Sequence, residues 1–157
     1  MNECHCGTER SRMKTIQSEI IIKAPVEEVW AVLQAFPLYP EWNPFIRAVK
    51  GKPLAEERLT VKAKLDGLPE IAFSVTIRSF VPPVKLGWQA IFLKGIFEAY
   101  HYFEIYQISP CRSRFIHREE FRGIFSSPIL FLLGRSFSEG YRMMNEALKK
   151  RVEPDLE

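Results

Sequence analysis

Between residues 127 and 151, Leu130, Leu133, Phe137, Tyr141, Met144 and Leu148 recur at steps of three and four, which places them on one side of a 3.6-residue period. The spacing predicts a long amphipathic helix. Ser127 is its expected N-cap, Pro128 its expected first helical residue, and Lys149, Lys150 and Arg151 suit the negative end of the helix dipole. Upstream the period shortens to two. Ser18, Ile20 and Ile22 face one way within 16–23. In 58–65, Leu59, Val61, Ala63 and Leu65 alternate with Thr60, Lys62 and Lys64, and in 71–81 Ile71, Phe73, Val75 and Ile77 oppose Ser74, Thr76 and Arg78. With 46–53, 84–92, 97–108 and 112–123 this makes seven strands. Their joins at Asp66-Gly67, Pro82-Pro83, Lys94-Gly95 and Ser109-Pro110-Cys111 are hairpin-sized, so the sheet is antiparallel. After the first strand, Pro25 opens a short helix with Val26, Val29, Trp30 and Leu33 on its apolar side. Residues 36–45, rich in proline and aromatics, predict an ordered turn or short helix over one end of the core.

The expected architecture is therefore α+β: a seven-stranded antiparallel curved sheet wrapped round a long C-terminal helix, with two short helices after the first strand. A space is expected between helix and sheet. The last two strands show what faces it. Phe97, Ala99, His101, Phe103 and Ile105 share one face of their strand, and Ser113, Phe115, His117, Glu119 and Phe121 share one face of the next. The opposite face of the second carries Arg112, Arg114, Arg118 and Arg122, so it is outside and the phenylalanine-bearing face is inside. If a three-residue loop at 109–111 sets the register, His101 lies opposite Glu119 and Phe103 opposite His117.

The run Ala24-Pro25-Val26-Glu27-Glu28-Val29-Trp30, followed by Tyr39-Pro40-Glu41-Trp42-Asn43-Pro44-Phe45-Ile46, resembles the opening of the START-like, or SRPBCC, superfamily, closest to its polyketide cyclase/dehydrase-like and Bet v 1-like branch. Glu119-Glu120-Phe121-Arg122-Gly123 is similar to that family's last-strand ending, and the resemblance extends over about residues 16–151. It implies the helix-grip fold. The superfamily contains lipid and hormone carriers, cyclases and ring-hydroxylase subunits, so the resemblance leaves the activity open.

Composition narrows the classes. At 157 residues, 46% hydrophobic and 26% charged, the chain can bury one sizeable core. Residues 1–14 carry charges with hardly an apolar group and are expected to be a disordered leader, 15–152 a single domain and 153–157 a tail. A scattered net charge of +3 gives no footprint for nucleic acid. No apolar run reaches the roughly 18 residues of a membrane span, and the first residues lack a signal-peptide core. The expected location is cytoplasmic. Three cysteines cannot pair off completely. Cys4 and Cys6 flank His5 at spacings too short for a structural zinc site, and Cys111 belongs to a turn, so neither metal nor cofactor is expected.

The primary expectation is a binding protein, carrier or sensor, for a hydrophobic small molecule such as a lipid, polyketide, quinone or sterol-like compound. Its candidate wall comprises Phe73, Val75, Trp88, Ala90, Ala99, Phe103, Phe137, Tyr141 and Met144, with His101, His117 and Glu119 orienting the polar end. The alternative is a cyclase/dehydratase-type lyase in which that trio moves protons. A third, a partner-binding accessory domain, rests on the apolar residues Ile124, Phe125, 128–133, Leu93, Ile96 and Phe97 near one end. The simpler role for those residues is to cover the cavity mouth, and the sharper one is a transient membrane contact. Monomer and homodimer are both left open.

Overall fold

The computed structural model describes residues 13–94 and 96–153. Nearly all of the expected leader, including Cys4-His5-Cys6, lies outside them. Strands β1 (Lys14–Ile22), β2 (Ile46–Lys50), β3 (Arg58–Ala63), β4 (Ile71–Val81), β5 (Lys85–Leu93), β6 (Phe97–Ser109) and β7 (Arg112–Arg122) form one antiparallel sheet in the order β1-β7-β6-β5-β4-β3-β2. Helices α1 (Val26–Gln34) and α2 (Tyr39–Trp42) follow β1, and α3 (Ser126–Val152) closes the chain. This is the helix-grip arrangement expected from the alternation and the terminal helical period.

Each element follows from local chemistry. In α1, Glu27 and Glu28 occupy the first turn, where the dipole favours them, and Val26, Val29, Trp30 and Leu33 are buried. Phe36–Leu38 makes a 3-10 turn before α2. Asn43 Oδ1 then accepts from the backbone N–H of Phe45 (3.0 Å) and Ile46 (2.8 Å), which turns the chain into β2 and aims Phe45 at the interior. Gly51, at φ +128°, ends β2 three residues earlier than the expected 46–53.

The β6–β7 register pairs His101 with Glu119 and Phe103 with His117, as alternation predicts. The route differs from the expected three-residue loop. Ser109 pairs with Arg112 across the two-residue turn Pro110-Cys111, and a register shift between Gln107 and Ser109 restores the same pairing deeper in the sheet. A second shift, between Ile91 and Leu93 of β5, allows Phe92 and Leu93 to line the same cavity although they are consecutive.

Helix α3 begins two residues before the expected first helical residue. Ser127 is not its cap, because Phe125 takes the cap position without a side-chain bond and the Ser126 hydroxyl donates to Gly123 O (2.8 Å). Pro128 is thus the third helical residue, where its missing N–H still removes no intrahelical bond. The helix meets the sheet unevenly. Gly140, Tyr141, Met144, Asn145, Leu148 and Val152 are buried, whereas from 127 to 139 every residue is half-buried or exposed. No helix among the described residues is long and apolar enough to cross a membrane.

The lifted end is tied down at one place. Gly123 has φ +105°, and the N–H of Phe125 donates to Ile96 O (3.1 Å), joining the start of α3 to the β5–β6 turn. A Cβ at Gly123 would lie 2.3 Å from that same Ile96 oxygen. Gly123→Ala is therefore expected to cost about 2 kcal/mol or more, from left-handed strain and a backbone clash together. Urea unfolding midpoints of variant and parent check this.

Candidate functional site

Where α3 stands off the sheet, a cavity of about 520 Å³ opens. Its sheet side is built by Val61 and Ala63 of β3, Ile71 and Phe73 of β4, Trp88, Ala90, Phe92 and Leu93 of β5, Phe97, Ala99 and His101 of β6, and Glu119 and Phe121 of β7. Phe125, Ile129, Leu133 and Phe137 project from α3 at helical spacing to form the other side, and Phe45, Ile46, Leu65, Leu68 and Ile96 complete the wall. Ile71, Phe92, Leu93 and Phe125 line the space and are also exposed, which marks the mouth. His101 and Glu119 are the ionisable side chains on the wall.

Of the side chains expected to face the space, Phe73, Trp88, Ala90, Ala99, His101, Glu119 and Phe137 do so. Val75, Phe103, His117, Tyr141 and Met144 do not line it. All five are buried instead: Val75, Phe103, Tyr141 and Met144 belong to the packed core, and His117 lies at 0% exposure behind the wall. Alternation and helical period assign a side chain to a face but give no depth along the element. The α3 stripe is also rotated: Ile129 rather than Leu130 lines the cavity. Phe45, delivered by the Asn43 turn, carried no periodic signal. Asn145 was missed as well, although a polar residue beside Met144 and Leu148 in a buried stripe is itself a signal.

Behind the wall, a buried chain of hydrogen bonds joins α3 to β7 and β6. Asn145 Nδ2 donates to Ser18 Oγ (3.1 Å), so its Oδ1 accepts from His117 Nδ1–H (3.2 Å). His117 Nε2 is then an acceptor and takes the Nε2–H of His101 at 2.8 Å. His101 Nδ1 and Glu119 Oε2 lie 3.2 Å apart, a distance that one proton shared between them satisfies. The Tyr141 hydroxyl donates to that same oxygen. Aromatic rings clamp the group: Trp88 stacks on His101 (5.5 Å between centroids, 9° between planes) and Tyr141 on His117 (4.3 Å, 29°). Burial first, then the neighbouring His101, holds His117 well below the ordinary histidine value, against the bond to Asn145 that raises it. Burial, then the charge of Glu119 and the bond to it, pushes the Tyr141 phenol well above its ordinary value. Tyr141 is thus a fixed donor.

A curved sheet gripping a terminal helix, with an apolar cavity between them and a polar group at its inner wall, defines a member of the SRPBCC-like superfamily. The chain belongs to the polyketide cyclase / dehydrase and lipid transport family, whose model matches residues 13–153. No curated protein is significantly similar in sequence. Among solved structures, the chain is similar to the ZhuI aromatase/cyclase from Streptomyces sp. R1128 (11% identity, TM-score 0.71, covering 89% of this chain and 93% of that one). It is also similar to a START superfamily protein from Mycobacterium smegmatis (16%, 0.69, 88% and 96%). Norcoclaurine synthase from Thalictrum flavum, solved with dopamine and hydroxybenzaldehyde, is similar too (11%, 0.68, 89% and 86%). At these identities the likeness extends to the fold.

The depressed His117 gives a pH signature. Below about pH 6.5 the unfolded chain takes up a proton at this residue that the folded chain refuses, so stability falls as pH falls. As pH falls below about 6.5 the slope grows toward about 1.4 kcal/mol per pH unit, the limit for one proton bound only by the unfolded chain. Chemical denaturation at several pH values is expected to show that slope in the parent and a shallower one in His117→Gln.

Proposed function

We propose that this protein binds a hydrophobic small molecule, such as a lipid, polyketide, quinone or sterol-like compound, in the cavity between sheet and α3, as carrier or sensor. The observation that carries this is the cavity itself: about 520 Å³, apolar on every side apart from His101 and Glu119. Such a space takes up apolar surface at roughly 25 cal/mol per Å² buried, less the cost of immobilising the ligand. Ala90 lies where the core meets the wall, and a larger residue there extends into the cavity volume. Ala90→Phe is expected to weaken binding of a fluorescent apolar probe by about 10-fold or more while leaving the thermal midpoint near the parent's. Unchanged probe affinity would count against the cavity as the binding site.

A second reading, a cyclase/dehydratase-type lyase, is favoured by the shared proton between His101 and Glu119 at the wall, with His117 acting only through His101. The two separate on His101→Ala and Glu119→Gln. A carrier shows changed affinity and no turnover to lose, whereas an enzyme loses turnover of a substrate it still binds.

Loading supports a transient membrane contact at the mouth. Ile124 (74% exposed), Phe131 (89%) and Leu132 (74%) are exposed around the start of α3, near in sequence to the exposed lining residue Phe125, and Lys94 follows the exposed lining residue Leu93. An apolar rim with a cation at its border suits an anionic lipid surface. Phe131→Asp with Leu132→Asp is expected to reduce co-sedimentation with phosphatidylglycerol-containing vesicles roughly 10-fold. Equal sedimentation of parent and variant would remove this contact.

A further inference from the structure

We infer that the molecule held in this cavity is a neutral apolar alcohol or phenol whose hydroxyl donates a hydrogen bond to Glu119 Oε1. The inference rests on the binding reading above and adds the ligand's polar chemistry to it. The hydrogen-bond inventory of the wall carries it. Both ring nitrogens of His101 are committed, Nε2 to His117 and Nδ1 to Glu119, so His101 shows the cavity only carbon-bound hydrogens. Glu119 Oε2 takes both the Tyr141 hydroxyl and the proton it shares with His101. Oε1 has no hydrogen-bond partner among the described residues and belongs to a side chain on the cavity wall that is not fully sealed from it.

The polarity of that atom follows from the proton count. Whether the shared proton rests on His101 Nδ1 or on Glu119 Oε2, Oε1 carries none and can only accept. Reversing the Asn145 amide reverses the chain upstream of His101 and leaves this unchanged.

Charge and geometry narrow the class further. A ligand carboxylate at neutral pH has no hydrogen to give to an atom that can only accept. A ligand ammonium needs three acceptors where the side chains supply one, so burying it leaves two donors unpaired. A ketone or ether leaves Oε1 desolvated and unmatched, which a site penalises more heavily than it rewards an ordinary hydrogen bond. A hydroxyl satisfies the site with one bond, and the aromatic wall takes the rest of the molecule.

The test uses the full chain and three probes of one shape: 2-naphthol, 2-methoxynaphthalene and 2-naphthoate, titrated by calorimetry at neutral pH. The parent is expected to bind 2-naphthol about 10-fold tighter than the ether, the upper range of an ordinary hydrogen bond, and to bind the acid weakest. In Glu119→Gln the amide oxygen can take the bonds from Tyr141 and His101, which turns the N–H toward the cavity and replaces the acceptor by a donor. The naphthol-to-ether preference is then expected to fall about 10-fold relative to the parent, a double ratio in which the probes' different water solubilities cancel. Equal affinity of the parent for naphthol and ether overturns the assignment and leaves the carrier reading standing. Failure of all three probes to bind overturns the carrier reading, and the assignment with it. If Glu119→Gln does not fold, the parent's own ranking of the three still decides.

Discussion

Two hydrogen bonds decide where this helix stops touching its sheet. Tyr141 reaches Glu119 and Asn145 reaches His117 from successive turns of α3, and together they pin the helix to β7 at the boundary between its buried and its lifted halves. C-terminal to this tie, Met144, Leu148 and Val152 pack into the core. N-terminal to it, the helix spans open space until the Gly123 turn anchors its beginning to the β5–β6 turn. A helix of 27 residues fixed near both ends over a curved sheet must leave a gap between the fixings. The cavity is that gap.

The same tie is why a polar group exists inside an otherwise apolar interior. An unpaired carboxylate there would be expensive, and removing one partner of a buried network leaves the others exposed to that cost. Here every ring nitrogen is used, two stacked ring pairs fix the imidazoles, and the one acceptor left over faces the cavity rather than the packed core. Structure and recognition therefore share the same residues. Glu119 ends the tie on one oxygen, and the other is the one proposed to meet a ligand.

Much of this was legible from the chain alone, and what was not has identifiable causes. Alternation along β6 and β7 located His101, His117 and Glu119 on one inner surface and set their pairing, because a side chain's face depends only on its parity. Parity held even though the turn was one residue shorter than expected, since the shift beyond Gln107 compensated. Parity and helical period carry no information about depth, so they do not separate Val75, Phe103 and Met144, which pack in the core, from the residues that line the cavity. Tyr141 was expected to line the space and instead closes it off. Phe45 was invisible to periodicity because Asn43 and a turn place it, and the role of Ser127 was misread because a helix can begin on a glycine turn without a side-chain cap.

Native mass spectrometry of the freshly purified chain bears most directly on whether the gap beneath α3 is a binding site. The expected result is a second species heavier by one neutral molecule, with that molecule recovered as an apolar alcohol or phenol when the protein is unfolded. The contradicting result is the bare sequence mass in every charge state, unchanged after incubation with an excess of such an alcohol.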